Sequence, residues 1–234
     1  MKPVAIFRHS ATEGPAYFVT YLDAHRIPWV LLKVDAGDAV PADPAAFAGL
    51  VFMGGPMSVN DDLSWVAEEA ALVRRAVADG IPTLGHCLGG QLMAKALGAA
   101  ISRNPVREIG WGAVTVRDSS LARHWFGDLR TFLSFHWHGE TFTLPEGATC
   151  ILESPWCANQ AFVLGPHLGM QCHVEMTPEL IRAWCKDWDT EVRGMAGPSV
   201  QTPEQMEQDI GARVQALNAV ADRLYDRWIE GLKG

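Results

Sequence analysis

The chain has 234 residues, 48% of them hydrophobic, with 19 Lys+Arg against 27 Asp+Glu and a formal net charge of −8; this bounds it to one large α/β domain, or two small ones, of ordinary globular balance. Net acidity without any Lys/Arg block argues against nucleic acid as a partner, because that affinity rests on phosphate neutralisation. No apolar run approaches a membrane span, the N-terminal run is cut at Arg8, and five scattered cysteines (Cys87, Cys150, Cys157, Cys172, Cys185) without CxxC spacing fit a reducing cytosol better than a disulfide framework.

In chain order, Val4–Phe7, Trp29–Val34 and Leu50–Met53 read as buried strands, with helical or loop material between them. Residues 61–79 read as a helix, because Trp65, Val66, Leu72, Val73, Ala76 and Val77 recur at helical spacing and Gly80 stands at C′. A short strand over 82–85 and a small helix over 89–97, ended by Gly98, come next. Strands alternating with helices imply an open, mostly parallel twisted sheet with helices on both faces. From about 101 to 163 the pattern is richer in strands and turns, with only a helical turn near 121–126, and predicts a small antiparallel region. A strand over 167–173 leads to Thr177-Pro178-Glu179, a helix start with Thr as N-cap and Pro at the first position. Residues 189–201 read as a loop. Thr202-Pro203-Glu204-Gln205 then forms a capping box for a terminal helix over 203–232. On it Met206, Ile210, Val214, Leu217, Val220, Ala221, Leu224 and Trp228 share one face, read as core packing ahead of an oligomer surface. No second-domain boundary shows, so 1–234 reads as one domain.

Gly85-His86-Cys87-Leu88-Gly89 has the form G-x-C-x-G between a strand and a helix. That is the thiol version of a nucleophile elbow, a turn so sharp that its flanks must be glycine. It would present Cys87 at the carboxyl edge of the sheet, at a helix N-terminus whose dipole favours thiolate. A thiol nucleophile needs a base, and the base an orienter. His173 ends a strand and Glu175 follows two residues on; on extended backbone the two point the same way. The chain order Cys, His, Glu disfavours an α/β-hydrolase, whose acid precedes its His. Gly54-Gly55-Pro56 follows the strand at 50–53, so an N–H there, with that of Leu88, can form an oxyanion hole. His136 and His138, i and i+2 on a strand, with Cys172 or Glu140, are a weak zinc pattern; the expectation is no metal and no cofactor.

Together these motifs resemble the class I (triad) glutamine amidotransferases, in particular stand-alone members related to the amidotransferase domain of GMP synthase. The family elbow G-x-C-x-G-x-Q matches Gly85 through Gln91. The strand ending in His and followed by Glu matches Met170 through Glu175, and the family GGP matches Gly54 through Pro56. The stretch from His136 to Leu144-Pro145-Glu146-Gly147-Ala148 resembles the segment ending Leu-Pro-x-Gly-Ala, and Glu108-Ile109-Gly110-Trp111-Gly112 resembles the segment after the elbow helix. The likeness covers about residues 50–180. It implies a flavodoxin-like α/β fold and a cytoplasmic enzyme that hydrolyses the side-chain amide of glutamine through a thioester. In that scheme Cys87 attacks, His173 protonates departing ammonia and then activates water, Glu175 orients His173, and the amides of Gly55 and Leu88 hold the oxyanion. Gly54, Gln91 and backbone near Trp137 and His138 would hold the substrate.

Two positions depart from the family pattern: Val174 where Pro is common, and His86 where an aliphatic residue is common. The resemblance leaves open the acceptor of the ammonia, a separate synthetase or acceptor-domain subunit as partner, and a homodimer. A γ-glutamyl hydrolase or cysteine peptidase on the same scaffold, and a non-catalytic regulatory homologue, are the rival readings.

Overall fold

The computed structural model of the protein describes residues 2–195 and 197–234. Among these residues nine strands form one mixed sheet: β1 (Val4–Arg8), β2 (Trp29–Lys33), β3 (Gly49–Phe52), β4 (Thr83–His86), β5 (Ile101–Val116), β6 (Thr131–Phe142), β7 (Thr149–Glu153), β8 (Ala161–Leu164) and β9 (His167–Met170), in the order β2-β1-β3-β4-β9-β8-β7-β5-β6. The first five in that order pair in parallel and the remainder antiparallel. The α/β architecture with parallel strands and helices is thus as the sequence predicts, and the antiparallel region continues the same sheet.

The helices are α1 (Tyr17–Ala24), α2 (Ser64–Ala78), α3 (Leu88–Ala96), α4 (Ser120–Phe126), α5 (Pro178–Asp187), α6 (Asp189–Arg193), α7 (Pro203–Glu207) and α8 (Ile210–Ile229). The inner parallel strands β1, β3, β4 and β9 are buried because both faces of the sheet are covered there, whereas β2 at the sheet edge, expected as a buried strand, is part-exposed. On β1, Val4 and Ile6 join the cluster that holds Phe18, Leu224 and Trp228, whereas Ala5 and Phe7 join the one that holds Leu72, Val73 and Leu92. Successive residues alternate faces with the strand period of two. The apolar face of α8 is therefore core: Val214, Leu217, Leu224, Tyr225 and Trp228 are all buried.

Four further expectations need correction. The segment 121–126 is a true helix, started by Ser119, whose side chain accepts from the Ala122 N–H. Residues 189–193, expected as loop, form the short α6. The terminal helix is two helices: the Thr202–Gln205 capping box is present on α7, but Asp209 takes a left-handed φ of 52° and breaks the path before α8. Finally, β9 stops at Met170, and His173 lies beyond it, held by a single bridge to Phe135 of β6.

Candidate active site

β4 runs into α3 through Cys87, whose backbone sits at φ 49°, ψ −106°, a strained conformation for a residue with a side chain. The glycines around it give the room that the sequence pattern implied. A Cβ on Gly85 would lie 2.5 Å from the Gly89 carbonyl carbon, and one on Gly89 would collide with the Phe52 carbonyl oxygen of β3. So α3 starts directly against the strand backbones and aims Cys87 across the sheet edge. The Cys87 side chain is buried. Its Sγ accepts from Gln171 Nε2 at 3.5 Å and faces the Trp137 carbonyl at 3.9 Å.

His173 is fixed at both ends. Its N–H donates to the Phe135 carbonyl at 2.8 Å, and its own carbonyl accepts from the Phe135 N–H at 3.4 Å. Trp184 packs edge-on against the ring, 5.1 Å between centroids. Nδ1 is 2.6 Å from Glu175 Oε1. Among the described residues Nε2 is buried without a hydrogen-bond partner at ordinary distance. Burial works against a charged imidazole, but the Glu175 carboxylate and the Cys87 thiolate outweigh it and hold the His173 pKa well above its ordinary value. Burial likewise opposes the charge on Glu175, yet His86 and His173 beside it draw its pKa down to about 2.

Behind Glu175 stands His86, the departure from the family pattern. It is fully buried, with Nε2 3.6 Å from Glu175 Oε2 and 3.2 Å from the Tyr225 hydroxyl. Burial lowers its pKa, with Glu175 opposing that and His173 adding to it, and its Nε2 stands between the Tyr225 hydroxyl and Glu175.

Gly55 and Leu88 are adjacent: a Cβ on Gly55 would lie 2.6 Å from Leu88 Cδ2. The loop that carries Gly55 is held by His9, which donates from Nδ1 to the Met53 carbonyl at 2.9 Å and meets Glu69 Oε2 through Nε2 at 2.9 Å. Gln91 donates to Gln171 Oε1 at 3.0 Å. Cys87, Leu88, Gln91, Gly55, Trp137, His138 and His173 all line one cleft of about 610 Å³. Gly54, expected to touch substrate, is instead buried at its base, where a Cβ would lie 3.3 Å from His173 Cε1.

Two cleft neighbours were not singled out in the sequence. Gln171 precedes His173 by two residues, the same spacing that separates His173 from Glu175. Glu13 has no such signal. Its carboxylate lies over Gly54, beside His173, and burial raises its pKa to about 7, with His173 and His9 pulling it down and Glu175 pushing it up.

Residues 20–184 match the family model for glutamine amidotransferase class-I, and the chain belongs to that family. It is 29% identical over 198 residues to the glutamine amidotransferase-like protein YfeJ of Salmonella typhimurium, covering 81% of this chain and 82% of that protein. It is 32% identical over 192 residues to a GMP synthase [glutamine-hydrolyzing] of Vibrio vulnificus, but that match takes in 80% of this chain and only 34% of the synthase. Among solved structures it superposes on a glutamine amidotransferase from Methylobacillus flagellatus with a TM-score of 0.97 at 43% identity, covering 100% of this chain and 96% of that one. A glutamine amidotransferase from Thermotoga maritima gives 0.88 at 25% identity, with 98% of each chain covered. No described helix is long and apolar enough to cross a membrane.

Proposed function

We propose that the chain hydrolyses the side-chain amide of glutamine through a γ-glutamyl thioester on Cys87. The observation that carries this reading is His173: its Nδ1 is fixed by Glu175 at 2.6 Å, while its buried Nε2 is left without a partner in the cleft that holds the thiol. A buried nitrogen with nothing to bind costs free energy, and a proton in transit between thiol, substrate and water is what it is placed to serve.

In the first half-reaction the Cys87 thiolate attacks the amide carbon, and the C–S bond forms as the carbonyl oxygen takes the charge. The amides of Gly55 and Leu88 hold that oxygen, each such donor being worth about 10²- to 10³-fold in rate. The His173 imidazolium gives its proton to the leaving nitrogen, the C–N bond breaks, and ammonia departs. Water then attacks the thioester while neutral His173 takes its proton. Collapse expels the thiolate, releases glutamate and restores the starting pair. Glu175 stabilises each imidazolium without taking the proton. Gln91, with the backbone at Trp137 and His138, holds the amino-acid end, and Gln171 orients the sulfur. On this reading the ammonia passes to an acceptor in the cytosol that the chain's own residues do not name, a synthetase partner being suggested by the GMP synthase likeness.

A second reading keeps the chemistry and changes the substrate. At about 610 Å³ the cleft falls in the size range of sites for drug-sized ligands, about 300–1,000 Å³, so a γ-glutamyl amide with a larger amine also fits. Assaying ammonia release from glutamine beside turnover of γ-glutamyl amides and peptides separates the two. Labelling by a glutamine-like electrophile should be stoichiometric and vanish in Cys87→Ala. Failure to label, with no turnover of any of these substrates, would sink both readings and leave the regulatory homologue.

A further inference from the structure

β6 carries His136 and His138 two residues apart, so both side chains leave one face of the strand. The neighbouring strand β5 sets Glu108 opposite His138 in register and Gly110 opposite His136. One ligand-type atom from each of Glu108, His136 and His138 lies within 4.8 Å of the other two, and all three residues are buried. Gly112 leaves the space that the His136 ring takes, since a Cβ there would sit 2.9 Å from its Cδ2. The zinc pattern weighed from sequence had the wrong third member. Cys172 and Glu140 do not join the group; Glu108, 28 residues upstream of His136 and brought in by strand pairing, does.

The orientation of the three groups is the telling feature. His138 Nδ1 donates to the Glu140 carbonyl at 2.9 Å, which leaves Nε2 as the lone-pair nitrogen, 3.0 Å from Glu108 Oε2. Two acceptors that close repel unless a proton or a metal cation lies with them. His136 turns Nε2 to the Gly112 carbonyl at 3.4 Å and keeps Nδ1 buried without a partner among the described residues. Glu108 is held by Ser154 Oγ, donating to Oε1 at 2.8 Å, and by Gln160 Nε2, donating to Oε2 at 2.7 Å; the same Gln160 nitrogen comes within 3.5 Å of His138 Nε2. Carbonyls that fix the far nitrogen of each imidazole, and donors that fix the carboxylate, are the outer contacts of a metal site. A shared proton accounts for the His138–Glu108 contact but gives the His136 nitrogen nothing to do.

We propose that Glu108, His136 and His138 bind a zinc-class divalent cation behind the strand that lines the substrate cleft. Two imidazole nitrogens and one carboxylate oxygen suit Zn²⁺, Co²⁺ or Ni²⁺, not Mg²⁺ or Ca²⁺, which take oxygen ligands. Three protein ligands leave a fourth position for water. His138 borders the large cleft, while Glu108 and His136 border a second cavity of about 100 Å³, so the group lies between the two. Trp137, between the two histidines, presents the carbonyl that faces Cys87 Sγ. Occupancy therefore stiffens the wall beside the thiol without touching the reacting atoms.

The test uses the full chain, stripped with chelator and carrying Cys87→Ala so that the reactive thiol cannot bind metal. It is titrated with ZnCl₂ by calorimetry and with CoCl₂ by visible absorption, neither of which depends on turnover. One equivalent should bind, zinc should raise Tm, and Glu108→Gln and His136→Asn should each weaken binding at least about 100-fold and abolish the Tm rise. Should a ligand variant fail to fold, Ser154→Ala, which removes only an outer contact, should weaken binding by about 10- to 100-fold. No stoichiometric binding, binding unchanged in these variants, or a thiolate-to-cobalt band that places the ion on a cysteine would overturn the proposal.

Discussion

Two buried histidine–carboxylate pairs lie at the carboxyl edge of the parallel strands, and they are built to different ends. His9–Glu69 and His173–Glu175 are both sequestered from water, at 2.9 Å and 2.6 Å respectively. His9 uses both ring nitrogens, one on the Met53 carbonyl and one on Glu69, and stacks on Trp65. His173 uses one nitrogen and leaves the other bare. Burial and a carboxylate partner are thus common to both pairs, and the uncommitted nitrogen of His173 is what sets them apart. The first pair holds the loop of Gly55 in place, and the second, on the proposed reading, moves protons.

Substitutions can break that contrast, beginning with the thiol that gives the bare nitrogen its purpose. Cys87→Ala should reduce ammonia release from glutamine by about 10⁴-fold or more, with no adduct detectable by mass spectrometry. Glu175→Gln should lower kcat by about 10²- to 10⁴-fold. Glu69→Ala should instead remove up to about 3–5 kcal/mol of stability, read by denaturant melts, with kcat changed by less than about tenfold. If the two carboxylate variants gave the same kinetic loss, the distinction would fail.

Glu13 sharpens the contrast by pH. Its pKa is raised from 4.5 to about 7. A carboxyl that holds its proton more tightly when folded contributes stability below its unfolded pKa and loses it as pH rises through the folded value. Glu13→Gln should therefore raise Tm at pH 8 and change it little at pH 4. It should also erase an inflection near pH 7 in kcat/KM, where ionised Glu13 would otherwise support the imidazolium beside it. The smallest effect belongs to His86→Asn: a kcat loss of about tenfold at unchanged KM, equivalent to about 1.4 kcal/mol of positioning.

How much of this could be read in the sequence followed the range of each constraint. The elbow was legible because steric room at Gly85 and Gly89 is a local demand with a local signature. His173 and Glu175 were legible from their two-residue spacing, although β9 ends at Met170 and it is the bridge to Phe135, not a strand, that holds His173. Tyr225 reaches His86 from 139 residues away, and Glu108 reaches His136 and His138 by strand pairing; no spacing rule spans such distances. The break at Gln208–Asp209 escaped because the apolar period runs on through it, while one left-handed residue redirects the backbone.

The sheet order has a consequence in time. β4 and β9 are neighbours in the sheet, yet 86 residues separate Cys87 from His173. A ribosome adds about 5–20 residues each second, so the elbow emerges roughly 4–17 s before His173. Until β9 docks, β4 has an unpaired edge, the kind of surface that invites aggregation, and on the proposed reading the cysteine has no partner for proton transfer. A nascent chain or truncated fragment that ends before β9 carries the whole elbow and remains chemically silent.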